Sequence, residues 1–341
     1  MKRKSKLSLF NKLVYFVNFI AVILLLLGFA LPLISPKTAP RLSVLSLSIP
    51  ILFIINIAFV LYWILGIKRQ FLLSLVSLII GLFLSSPLYN IGETNKGTTS
   101  DLKVMSYNVR LFNVYDWIDD TDIPIKILNF ITKENPDIIS FQEFHPSAEK
   151  LFNYPFKYVK ISTSKSKIGQ AIYSKYKIIN EGSVNFNHTI NDAIYVDVVK
   201  NLDTIRIYNL HLESLGLQVN KENFGQKNPD KLIKRLGKEF AKQQNQVEKI
   251  LKHKQLTTFP VILTGDFNNT AYSWLYKNLK GAMNDSFLES GSGFGKTFDL
   301  KGFPMRIDYI FTDKLFTINK FENYTIKYSD HLPIMATIGL Y

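Results

Sequence analysis

Pro260-Val261-Ile262-Leu263-Thr264-Gly265-Asp266-Phe267-Asn268 runs from apolar and β-branched residues straight into a polar turn. The apolar part has the length and composition of a buried strand, and Gly, Asp and Asn are turn formers. Standing alone, the stretch is an ordinary strand and turn. Its weight comes from repetition along the chain. Leu102–Tyr107 ends in Asn108, Asp137–Phe141 ends in Gln142-Glu143, and Thr204–Leu210 ends in His211-Leu212-Glu213-Ser214. Arg306-Ile307-Asp308 opens a run reaching Phe311, and Ser329-Asp330-His331 precedes the run Ile334–Ile338. Further strands are predicted at Ala171–Ser174 and Ala193–Val199, with helices over Ile123–Asn135, stopped by Pro136, and over Asp230–Lys254. In open or layered sheets the loops at one set of strand ends gather residues that are far apart in sequence.

Such a gathering of carboxylates, carboxamides and imidazoles suits one chemical task. A hard divalent cation such as Mg²⁺ takes oxygen ligands, keeps several waters and needs only one or two carboxylates to hold it. Glu143 is the expected first ligand and Asp330 the second. The ion would neutralise phosphate oxygens and the charge developing on a leaving oxygen. Asp266 can orient or deprotonate a water while Asn268 donates to a phosphate oxygen. His331 beside a phosphate is favoured as imidazolium, the more so with Asp308 as partner. Singly, each residue has a plain explanation: Asn108 as a cap, His211 as a structural histidine, Asp308 with Arg306 as a surface pair. Together they form an ordered series, each member at a strand end.

That series resembles the endonuclease/exonuclease/phosphatase superfamily, or DNase I-like fold, over residues 101–341. The resemblance rests on Ser106-Tyr107-Asn108-Val109-Arg110, Ile139-Ser140-Phe141-Gln142-Glu143, Gly169-Gln170-Ala171-Ile172-Tyr173-Ser174 and Asn209-Leu210-His211-Leu212-Glu213-Ser214. It continues through Thr264-Gly265-Asp266-Phe267-Asn268, Thr297-Phe298, Arg306-Ile307-Asp308-Tyr309 and Ser329-Asp330-His331-Leu332-Pro333. It implies an α/β four-layer sandwich, two mixed β-sheets face to face with helices outside. It also implies a hydrolase of phosphodiester or phosphomonoester bonds, using Mg²⁺ or Mn²⁺ and in-line attack of water. By the same resemblance Asn108 and Glu143 serve the metal with Asp330 adjacent, Asp266 positions the water, and Asn268, His211 and His331 meet the phosphate. Asp308 would pair with His331. His211 stands where pancreatic-type deoxyribonucleases and sphingomyelinases carry a His and abasic-site endonucleases a Tyr, which argues against abasic-site repair. Nucleic acid and lipid head groups are the implied substrates. A non-catalytic membrane receptor or scaffold on the same fold is the alternative, disfavoured by the complete motif set.

The first hundred residues differ in kind. No charge interrupts Val14–Pro36, Leu42–Ile67 or Phe71–Gly92. Each run is long enough to cross a hydrocarbon core of ~30 Å, which takes about 20 residues. The expected organisation is a membrane anchor over 1–92 with three transmembrane helices (about 14–36, 42–67 and 71–91), a linker over 93–100 and a catalytic domain over 101–341. A cleaved signal peptide fits less well, because its apolar core is shorter and ends at a small-residue site. Residues 1–100 carry ten basic residues and one acidic, +9, whereas 101–341 carry 31 and 26, +5; together these give the net +14. Most of the excess therefore flanks the apolar runs, where it sets topology. With five basic residues before the first run and Lys68-Arg69 before the third, the N-terminus is expected inside and the catalytic domain outside the cytoplasm. The chain is thus expected to be an integral protein of the plasma or inner membrane whose partners are the bilayer and a phosphate ester, with no obligatory protein partner.

The chain has no cysteine, which excludes disulfides, thiolate metal sites and cysteine nucleophiles. Ser290-Gly291-Ser292-Gly293-Phe294-Gly295-Lys296-Thr297 nearly matches a phosphate-binding P-loop but lacks its first Gly, the strand before it and the helix after it. It reads as a loop. The basic side of Asp230–Lys254 reads as the solvated face of an amphipathic helix.

Overall fold

Charge-free runs become helices and alternating runs become strands in the computed structural model, which describes residues 7–93, 101–162, 167–187, 189–216, 229–300 and 303–340. Helix α1 spans Leu9–Ala30, α2 Ile49–Leu65 and α3 Phe71–Leu84. Two apolar helical stretches, Leu9–Leu33 and Pro40–Leu65, have spanning length at 25 and 26 residues. The expected third span does not. Helix α3 has 14 residues, about 21 Å at ~1.5 Å per residue, well short of a ~30 Å core. Its end lies at Ser85, whose backbone turns extended (φ −128°, ψ 162°) two residues ahead of Pro87. An absence of charge up to Gly92 is therefore not a measure of helix length. The inner face of α3 carries Ser74, Ser77 and Gly81. Asn18 Nδ2 donates to Ser74 Oγ (2.5 Å), Ser74 Oγ donates to Asn56 Oδ1 (2.9 Å) and Trp63 Nε1 donates to Asn18 Oδ1 (3.0 Å). Small residues and satisfied polar groups of this kind hold helices together in apolar surroundings. Of the expected linker, 94–100 lie outside the described residues.

Beyond it the strands are β1 Leu102–Asn108, β2 Ile138–Phe144, β3 Phe156–Ile161, β4 Gly169–Ser174, β5 Lys177–Ser183 and β6 Asp192–Lys200. They continue as β7 Asp203–His211, β8 Val261–Asp266, β9 Asn284–Asp285, β10 Asp308–Thr312, β11 Thr317–Asn323 and β12 Ile334–Gly339. Two six-stranded sheets result, β11-β12-β1-β2-β4-β3 and β9-β10-β8-β7-β6-β5. Each is mixed: β1 and β2 run parallel in one, β7 and β8 in the other, and the remaining pairs are antiparallel. The period-2 pattern of a strand explains the layering. In β1, Leu102 and Val104 enter the core between the sheets with Ile207 and Ile262, while Met105 and Tyr107 lie under helix α4 (Ile123–Glu134). In the second sheet Tyr208 and Leu263 face outward, beneath α5 (Pro229–Lys254) and α6 (Trp274–Lys280). This is the expected α/β sandwich of two mixed sheets flanked by helices.

Helix α5 has two partners. Val247 and Ile250 pack on the second sheet. Leu236 and Phe240 instead pack with Leu215 and with Val44 and Leu47 from the connection between α1 and α2. There a Cβ on Gly237 would stand 2.7 Å from Pro40 O, so only glycine admits the contact. Polar bonds line the seam: Ser35 Oγ and Lys37 N donate to Gln244 Oε1 (2.8 and 2.9 Å), Lys37 pairs with Glu248 (2.5 Å), and Arg41 with Asp230 (3.2 Å). Tyr272 enters the apolar end of the helices beside Phe29, Ile49 and Phe53.

Candidate active site

Strand register assembles one half of the site. In the second sheet His211 lies opposite Asp266, and Asp266 opposite Asp308. Neighbouring strands are about 4.8 Å apart, so the three side chains stand side by side. Gly265, inside β8, allows the close approach of β7: its φ is +135°, and a Cβ there would meet Leu210 O at 2.0 Å. In the first sheet Asn108 pairs with Gln142, which brings Glu143 in at the next position. Asn108 Nδ2 joins the halves, donating to Asp266 Oδ2 (3.0 Å) and Glu143 Oε1 (3.3 Å). His211 Nε2 lies 4.0 Å from both Glu143 Oε1 and Asp266 Oδ2. His331 Nδ1 lies 3.0 Å from Asp308 Oδ2, and its Nε2 lies 3.7 Å from Asp266 Oδ2.

Asn268 N donates to Asp266 Oδ1 (2.8 Å), and its Nδ2 donates to Leu212 O (2.9 Å) and Asp266 Oδ2 (3.3 Å). Asp330 pairs with Arg110 (3.3 Å). Ser329 beside it donates to Asn108 O (2.8 Å). All eight residues singled out in the sequence thus gather at one end of the sandwich. Two are held in the left-handed region, Glu143 (φ +47°) and Asn268 (φ +51°), where a residue other than glycine carries about 1–3 kcal/mol of strain.

The electrostatics favour a cation. Burial and the neighbouring charge of Asp330 raise the Glu143 carboxyl above its ordinary value, with His331 opposing. Burial pushes Asp266 up to about 6 against the pull of His331. Burial would lower His331, yet Asp308 and Asp266 raise it well above an ordinary histidine, while burial prevails at His211 and lowers it. Four carboxylates therefore crowd a site whose permanent cation is Arg110. That excess of oxygen donors fits a hard divalent ion. Asp266, Asp308 and His331 come close enough to share an ion, but His331 already faces Asp308 through Nδ1. Glu143, with 31% of its side chain accessible, opens toward solvent.

Several supporting residues carried no role in the sequence reading. Thr297 Oγ1 accepts from Ile307 N (3.0 Å) and Asp308 N (3.1 Å), and the Phe298 ring lies 5.0 Å from that of His331. Gln142 Nε2 donates to Asn209 Oδ1 (2.6 Å) and Thr264 Oγ1 to Ser140 Oγ (2.7 Å), sewing the sheets together behind the site. Thr297, Gln142 and Asn209 all lie inside the quoted motifs, and that was their only signal. Arg306 is no surface residue: it is buried against Asp285 (2.7 Å) and the rings of Phe287, Tyr309 and Tyr276. The stretch resembling a P-loop begins on the last residue of a short helix, Ser286–Ser290, and continues into a two-residue strand, Ser292–Gly293, not into a helix.

By sequence, residues 105–331 match the Endonuclease/Exonuclease/phosphatase family, and residues 11–88 match a domain of unknown function. No curated protein matches the chain. Among solved structures, an endonuclease/exonuclease/phosphatase family protein from Bacteroides thetaiotaomicron is similar at 19% identity, over 72% of this chain and 99% of its own, with a TM-score of 0.52. One from Bacteroides vulgatus is similar at 16% identity over 71% and 99%, with a TM-score of 0.54. D. rerio TDP2 complexed with a single-strand DNA product is similar at 17% identity over 70% and 99%, with a TM-score of 0.52. At these identities the likeness concerns the fold.

Proposed function

The chain belongs to the Endonuclease/Exonuclease/phosphatase family, and we propose that it is a membrane-anchored phosphodiesterase that works with a divalent metal ion, Mg²⁺ or Mn²⁺. The observation that carries the reading is the convergence on Asp266 of Asn108, His211 and His331, with Asp308 behind His331. Glu143, Asn108 and Asp330 would hold the ion, which supplies charge neutralisation for the phosphate and its leaving oxygen. Asp266 would orient the attacking water and take its proton. His331, kept charged by Asp308, would donate to a phosphate oxygen, and His211 would stand opposite. Asn268 holds Asp266 through two bonds; to reach a phosphate it would exchange the Nδ2 contact for a substrate oxygen.

The two helical stretches of spanning length support the anchor. Placement of the catalytic domain across the membrane from the N-terminus is supported by the seam. The domain packs on the connection that follows α1, through Ser35, Lys37 and Arg41. If α1 and α2 both cross, the chain returns to the starting side at Lys68, so this placement requires the segment that begins with α3 at Phe71 to carry the chain back across. Five basic residues before α1 place the N-terminus inside by the charge rule, which puts the domain outside the cytoplasm.

The test is a substrate panel on the full chain in vesicles: DNA, RNA, sphingomyelin, inositol phosphates and nucleotides, each with Mg²⁺, Mn²⁺ or EDTA. Hydrolysis that requires the metal is expected. Cleavage of none of them, or cleavage indifferent to EDTA, would overturn the reading. Nucleic acid stays on the panel because the D. rerio protein holds single-strand DNA.

A further inference from the structure

Three segments lead from the site directly to the end of the helical bundle. Tyr272, packed near Phe53 (6.4 Å between rings), follows Asp266 by six residues, a reach of at most about 20 Å. Arg306, two residues before Asp308, approaches Ser86 Oγ (3.4 Å). Thr297, which accepts from Asp308 N, follows Phe294 by three residues.

At that junction lies an exposed apolar rim. Asn90 and Ile91 pair with Gly293 and Ser292. Asn90 Nδ2 is anchored on the carbonyls of Phe287, Leu288 and Gly291 (2.8–3.1 Å). This fixes Tyr89, Ile91 and Phe294 together, with the Tyr89 and Phe294 rings 5.1 Å apart and edge to face. All three are exposed, Ile91 at 87% and the other two at 54%. Tyr89 follows closely in the chain on the last turn of α3, where Phe83 is 82% and Leu84 65% exposed. An apolar belt that passes from a membrane helix onto a soluble domain, with aromatic rings at its edge, has the composition of a bilayer interface.

We propose that Tyr89, Ile91 and Phe294 form a rim inserted in the bilayer surface that seats the catalytic cleft there, and that the substrate is a phosphodiester carried by a membrane lipid. The inference rests on the membrane-anchored reading above. It adds that the enzyme meets its substrate in the plane of the bilayer, at a height set by the rim, and does not draw it from solution.

The chain has no cysteine, so single nitroxide labels can be placed cleanly. In full-length protein in vesicles of phosphatidylcholine and phosphatidylglycerol, a label at Phe294→Cys should be more accessible to oxygen than to a water-soluble nickel complex. A label at Leu202→Cys, on the fully exposed turn at the opposite end of the sandwich, should show the reverse. A label at 294 that reads as aqueous as one at 202 overturns the proposal. For the substrate, Ile91→Ser with Phe294→Ser should lower turnover of vesicle lipids by about tenfold or more and leave the soluble diester bis(4-nitrophenyl) phosphate within about twofold. Equal losses on both, or a preference for single-strand DNA over lipid, also overturn it. Failure to cleave the soluble diester would count against the catalytic reading, whereas the label depths would still decide the rim.

Discussion

His331 and Asp308 are in direct contact, Nδ1 to Oδ2 at 3.0 Å, and both side chains are buried. The contact leaves Nε2 directed at Asp266. A buried pair of this kind acts as a unit, because either member alone leaves the other uncompensated. His331→Ala and Asp308→Ala are each expected to cost orders of magnitude in turnover, with the double variant little worse than His331→Ala. Losses that multiply in a double-mutant cycle would show that the two work separately.

Glu143→Gln keeps the shape and removes the charge. If Glu143 holds the ion, turnover should fall about a hundredfold or more. The fold should survive, since glutamine can accept the same bond from Asn108. Binding to the native state raises stability by mass action, so millimolar Mg²⁺ should raise Tm in the wild type and not in the variant. A variant that Mg²⁺ still stabilises would place the ion elsewhere.

Gly265→Ala tests the close contact between β8 and β7. The new methyl would meet Leu210 O at 2.0 Å in a backbone conformation at φ +135°. A loss of at least about 3 kcal/mol in unfolding free energy is expected, or failure to fold. Chemical denaturation of the purified variant measures it, and a loss below about 1 kcal/mol would mean that the backbone rearranges there.

Arg306 and Asp285 form a buried ion pair at 2.7 Å under aromatic rings. Arg306→Met should cost roughly 3–5 kcal/mol because it strands a buried carboxylate, and Arg306→Met with Asp285→Leu should recover much of the loss. A double variant no more stable than the single would show that Asp285 is held by Tyr276 and the Phe287 amide without the arginine.

Membrane orientation is read by reporters fused at Lys103. Alkaline phosphatase should be active there and a cytoplasmic fluorescent protein dark. The opposite pair of signals would return the domain to the cytosol.

Much of this architecture is legible in the chain because buried strands and site residues leave local marks. The central strands β1, β2, β7 and β8 are runs of β-branched and apolar residues, and each carries a polar residue of the site at its last or next-to-last position. The strands that the sequence does not announce, Phe156–Ile161, Lys177–Ser183, Asn284–Asp285 and Thr317–Asn323, lie at sheet edges and are mostly partly exposed. Edge strands carry lysines and other polar residues against unwanted pairing, which makes them read as loops. The left-handed backbone at Glu143 and Asn268 is invisible in a sequence that offers no glycine there. Helix α3 misleads for a different reason. Its run stays uncharged past the point where Ser85 leaves the helix, and hydropathy does not record backbone angles.

Helix α5 gives half its apolar face to the sandwich and half to the connection between α1 and α2. Without its first hundred residues the chain would lose Val44 and Leu47 from this cluster and bare the side of Leu236 and Phe240 that they cover, an apolar patch prone to self-association.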